Sequence, residues 1–124
     1  MSELTLSPLG HTWILDLDGT LVKHNGHLAD GTDTLLDGAM AFLDQIPAGD
    51  MVLILTARTE EHREKTEAFL AEHGIRYDQL ILGAPHGERI VVNDAKPSGL
   101  RTALAVCTER DQAPSVTVAV DGSL

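Results

Sequence analysis

Cysteine occurs once in the 124 residues, at Cys107, so no internal disulfide forms. Its setting in "TALAVCTE" predicts a small buried hydrophobe. Aromatic residues are almost as scarce, with two Phe, one Tyr and one Trp, which argues against a base-stacking platform. Cations are few: nine Lys and Arg against nineteen Asp and Glu leave a formal charge of -10. Nucleic acids and anionic membranes both demand clustered cations, so the expected partners include neither. An anionic small molecule remains compatible if a metal or a local cation offsets the field. No apolar run approaches the roughly 20 residues that span a bilayer. Residues 1–10 lack a charged start ahead of an apolar stretch, so no secretory signal is read and a cytoplasmic location is expected.

What is present is an alternation of elements. Hydrophobic residues make up 43% of the chain, enough for one domain over residues 1–124 with its core in about 12–106. "HTWILDL" predicts a buried strand ending near Leu17, and "MVLILT" (Met51 to Thr56) predicts a second. Between them "TLLDGAMAFLDQI" spaces its apolar residues as a helix does. "TEEHREKTEAFLAEHG" predicts the clearest helix, with Thr59 as N-cap and Gly74 as stop. "QLILG" and "RIVVND" predict two further strands, "TALAVCTE" either a strand or a short helix, and residues 107–124 an edge strand or a tail. This pattern implies an α/β fold, a mainly parallel sheet with helices on both faces. "VKHNGHL" carries Asn25-Gly26, the pair favoured in two-residue turns, and predicts a hairpin flap just after Asp18.

Asp16, Asp18, Thr56, Asn93 and Asp94 all fall at or just after predicted strand ends, where ligands bind in sheets of this class. Asp-x-Asp also opens calcium loops, but Gly19 to Val22 supplies no further oxygen ligand at alternating positions. Asp16, Asp18 and Asp94 together form a hard-oxygen cluster suited to Mg²⁺ beside a phosphate. Asp16 would then attack phosphorus to form an aspartyl-phosphate, while Asp18 protonates the leaving oxygen and later activates water. The Thr56 hydroxyl and the backbone amides of Ala57 and Arg58 would hold phosphate oxygens as charge builds on them. The Arg58 side chain either contacts substrate or fixes the loop. Lys23 and His24, on the flap, would meet the leaving group; His24 and His27 are also spaced as in some metal sites, though surface polar residues are the commoner explanation.

The ordered stretches "DLDGT", "LILTAR" and "RIVVND" resemble the haloacid dehalogenase superfamily of phosphohydrolases, over residues 12–106. "GAPHGERIVVNDAKPSG" and "TALAV" resemble its small members that lack a cap domain. The resemblance implies a three-layer Rossmann-like sheet, Asp16 as nucleophile, Asp18 as acid and base, Thr56 as phosphate binder and Asp94 as a Mg²⁺ ligand. It also implies an open site that takes a bulky substrate or is closed by a second subunit in a homo-oligomer. The superfamily's lysine is missing where this chain has Ala84, and Lys96 is the leading replacement, ahead of Arg89. The expected function is a Mg²⁺-dependent phosphomonoesterase acting on a small phosphorylated metabolite such as a sugar phosphate. The alternative is a catalytically weak binding or regulatory protein on the same fold.

Overall fold

The computed structural model describes residues 2–124. Among these residues, five strands lie in two separate parallel sheets, and three α-helices fall between β2 and β4 along the chain. The first sheet pairs β1 (Ser2–Leu6) with β5 (Val116–Val120). The second has the order β2 (Thr12–Leu15), β3 (Met51–Leu55), β4 (Gln79–Ile81). Its register sets Ile14 beside Leu53 and Leu55 beside Ile81. The helices are α1 (Gly26–Ala29), α2 (Ala39–Leu43) and α3 (Arg63–Glu72), the last preceded by a 3₁₀ turn over Glu60–His62.

Strand period explains the core. Val52 and Ile54 alternate along β3 and are buried, and they meet Leu17, Leu21, Phe69 and Leu70 in one apolar cluster. Trp13 closes it edge-on against Phe42, ring centroids 6.1 Å apart. The opposite face of the same sheet carries Ile14, Met51 and Ile81, each more than 40% exposed. The expected three-layer arrangement with helices on both faces is therefore not what the chain builds; the sheet is covered on one face.

The reason lies after β4. "RIVVND" forms no strand, and Ile90 and Val92 are 83% and 91% exposed. Only residues 82–88 separate it from β4, fewer than the dozen or so that a parallel crossover needs. "TALAVCTE" takes neither expected form, and Cys107 is exposed rather than buried. Residues 107–124 do supply the edge strand, as β5. The helix predicted over "TLLDGAMAFLDQI" also shrinks to α2, because Gly38 sits at φ +85 and Val22 bridges Leu35 antiparallel just ahead of it. The clearest predicted helix forms as α3 and stops at Gly74, φ +65, a conformation that favours glycine.

The hairpin expected over "VKHNGHL" is replaced by a wider flap. Asn25 adopts the positive φ of 55 that an Asn-Gly pair suggests, but Gly26 opens α1 instead of completing a two-residue turn. The flap closes at its base where Lys23 N donates to Thr34 O at 2.9 Å and Leu36 N to Leu21 O at 2.9 Å.

Candidate functional site

Because β2, β3 and β4 run parallel, their carboxyl ends share one edge, and the chain leaves that edge through Asp16, Thr56 and Leu82. The loop after β2 is tightly wound: the amides of Thr20, Leu21 and Val22 all donate to Leu17 O at 2.9–3.2 Å. Gly19 stands at φ +82, and a Cβ there would meet Arg110 Cγ at 3.3 Å. Residues 110–111 lie across this loop, with Asp111 N donating to Gly19 O (2.8 Å) and Asp111 Oδ1 accepting from His24 N (2.7 Å). Asp16 is thereby held facing outward with its side chain 44% exposed; Oδ2 accepts the Thr20 hydroxyl at 3.3 Å, and Arg89 Nη2 stands 3.9 Å from Oδ1.

Asp18 points inward to a different set of partners. Arg58, whose side chain is 2% exposed, donates from Nε and Nη2 to Asp18 at 2.9 and 2.8 Å and from Nη1 and Nη2 to Asp33 at 3.0 and 2.7 Å. Nη1 also donates to Thr66 Oγ1 at 2.9 Å. Burial pulls the guanidinium's pKa down, but the bonds to Asp18 and Asp33 outweigh it and hold the value above the ordinary one. Thr56 is buried, and its hydroxyl accepts from Arg58 N at 3.1 Å while its own amide extends the β3–β4 pairing to Ile81 O. Ala57 lies half-buried between them.

His27 completes this inner cluster. Its Nδ1 lies 3.7 Å from Asp18 Oδ1, is buried and has no hydrogen-bond partner. Burial first, then the charge of Arg58, pushes the imidazole below its ordinary value against the opposing pull of Asp18 and Asp33. Asp18, His27 and Asp33 each offer a ligand atom, all within 4.8 Å of one another, and the set can hold a metal ion. Asp33 carried no signal in "DGTDT"; only the fold brings it to Arg58.

The bonds of Lys23, His24, Asp94 and Lys96 run to partners outside this cluster. Lys23 is exposed and pairs with Asp30 at 3.0 Å, and His24 is fixed through its amide. Asp94 and Lys96 sit in an exposed loop closed on itself: Lys96 N donates to Leu100 O (2.9 Å), Asn93 Nδ2 to Thr102 O (3.3 Å) and the Thr102 hydroxyl to Asp94 O. The cluster that forms around Asp18 draws on Asp33 and His27 in place of Asp94. Among the described residues, no helix is long and apolar enough to cross a membrane.

No family model matches the chain. No curated protein matches it either. Two solved structures do. A chain of the Pnkp1/Rnl/Hen1 complex is 32% identical over 67% of this chain and 31% of that one, with a TM-score of 0.52. A chain of the Pnkp1/Rnl/Hen1 RNA repair complex is 30% identical over 72% and 30%, also at 0.52. This chain thus spans about three-tenths of the length of either match. These likenesses overturn the resemblance to the haloacid dehalogenase superfamily, and with it the phosphomonoesterase acting on a small metabolite and the weak regulatory variant of the same fold. They equally overturn the exclusion of nucleic acid among its partners. The charge argument weighed net charge alone, which does not decide what a larger assembly contacts.

Proposed function

We propose that the chain works in RNA repair, as a component of a larger assembly that acts on RNA ends. The observation that carries this reading is the likeness, at 32% and 30% identity over about two thirds of the chain, to chains of the Pnkp1/Rnl/Hen1 complex. With a charge of -10, the chain cannot hold an RNA backbone by releasing counterions, so partner chains supply that surface. What this chain offers is the open sheet edge around Asp16, a mouth with one exposed carboxylate, suited to one terminus rather than a strand.

In this reading Asp16 is the catalytic carboxylate, because it is the exposed member of the pair, and Arg89 is the cation beside it. A Mg²⁺ ion that keeps most of its waters fits there, since Asp16 leaves oxygen lone pairs open; bound, it would neutralise a terminal phosphate. Asp18 is a support, fixed by Arg58, and Thr56 and Ala57 shape the strand end. Lys23 and His24 lie on the flap to one side, and Asp94 and Lys96 join only if the 93–102 loop closes over the mouth.

The test uses end-labelled RNA oligonucleotides carrying 3′- or 5′-phosphates, incubated with the chain alone or with its partner chains, in Mg²⁺ or EDTA. A change at the RNA terminus that requires Mg²⁺ and is lost in Asp16→Asn is the expected result. RNA left unbound and unaltered under every condition overturns the reading.

A further inference from the structure

We infer that Asp18, His27 and Asp33 form a second cation site, for a transition-metal ion of the Zn²⁺ class, built around Arg58 and separate from the mouth at Asp16. The inference is independent of the RNA reading, since it rests on donor atoms inside the chain. His27 Nδ1 is the starting point: a buried imidazole nitrogen with no hydrogen-bond partner is a cost that a bound ion removes. Two carboxylates lie within 4.8 Å of it.

Charge supports the assignment. Asp18 and Asp33 carry two negative charges against the single positive charge of Arg58, so the cluster is one cation short. Arg58 uses all four carboxylate oxygens, yet each ionised oxygen has a second lone pair, so the metal shares the carboxylates with the guanidinium without displacing it.

The donor set decides the class of ion. Imidazole with two carboxylates suits Zn²⁺, whereas Mg²⁺ takes oxygen ligands and water. A tetrahedral ion with bonds of about 2.1 Å needs ligand atoms about 3.4 Å apart. His27 Nδ1 and Asp18 Oδ1 are already at 3.7 Å, and no pair of ligand atoms need close by more than about 1.4 Å. The ring of His62 stands edge-on to His27, centroids 5.0 Å apart, and fixes its plane. Three protein ligands leave the fourth position to water or to a substrate oxygen.

Titrating the full chain with Zn²⁺ by calorimetry, and with Co²⁺ by its visible absorption, tests this. A Cys107→Ser background removes the exposed thiol as a competing ligand. One Zn²⁺ per chain is expected, with a Co²⁺ spectrum of a four-coordinate nitrogen and oxygen site. His27→Gln should weaken binding at least tenfold and abolish that spectrum, while Asp16→Asn leaves both in place. His27 makes no hydrogen bond that the variant would break, and circular dichroism checks that it folds. Equal affinity in His27→Gln, or loss of the ion in Asp16→Asn, overturns the second site.

Discussion

Arg58 is the residue on which the interior of the site depends. It is 2% exposed and meets two carboxylates that are themselves largely buried, Asp18 at 15% and Asp33 at 6%. Burying such charges is unfavourable unless every one is paired, and removing one partner leaves the others uncompensated. Arg58→Ala should therefore lower stability by about 3–5 kcal/mol. Arg58→Lys should recover little of it, because an ammonium cannot fork to two carboxylates at once. Urea unfolding followed by circular dichroism measures both, and a midpoint unchanged in Arg58→Ala would remove the clamp from the account. The sequence marked Arg58 for its place after Thr56 and left open whether it met substrate or the loop. Only the fold showed that its guanidinium is spent inside, on Asp33 as well as Asp18, since a contact 25 residues away leaves no local pattern.

Among the elements, legibility followed how local the determining forces were. Helix α3 was readable because its period, its charged outer face and Gly74 all act within a few residues of one another. β2, β3 and β4 were readable as apolar runs bounded by turns. β1 was not, since "SELTL" alternates weakly and becomes a strand only by pairing with β5 across the length of the chain. That pair is joined to the rest through Gln45, just beyond α2. Its Nε2 donates to Val116 O at 2.9 Å and its Oε1 accepts from Val118 N at 2.9 Å, so the side-chain amide pairs with the edge of β5 as a further strand would. Gln45→Ala should leave both groups on β5 without this partner and cost about 1–3 kcal/mol. Faster hydrogen exchange confined to β1 and β5 is the expected signature, and unchanged protection there would show that the amide bonds do not hold the two sheets together.

At the scale of the whole molecule, acid sensitivity has an identifiable seat. Asp50 Oδ2 accepts from Trp13 Nε1 at 2.9 Å and lies 2.8 Å from His11 Nδ1, while Oδ1 accepts His11 N at 3.1 Å. These bonds tie the start of β3 to the start of β2. Burial pushes the Asp50 carboxyl up, but the bonds from Trp13 and His11 more than offset this and hold it below its ordinary 3.8. The unfolded chain therefore takes up this proton first as pH falls. The stability it confers is whole above pH 3.8 and is lost as the pH drops through the lower, folded value. The urea midpoint should fall steeply below about pH 4, and Asp50→Asn, less stable at neutral pH, should show a shallower fall. Parallel slopes in the two proteins would place the acid sensitivity elsewhere.

What the sequence by itself determined is local: the strand just ahead of Asp16 and Asp18, the helix that stops at Gly74, the positive φ of Asn25, and a net charge of -10. Those properties depend on neighbours along the chain or on composition, so they are written in order of residue. Only the tertiary structure decided that the sheet is covered on one face, that "RIVVND" stays exposed, and that Asp33 and His27 rather than Asp94 gather around Asp18. Each of these depends on whether a connection is long enough to cross the sheet and on which distant charges share one buried space, and neither is encoded in any single stretch of residues.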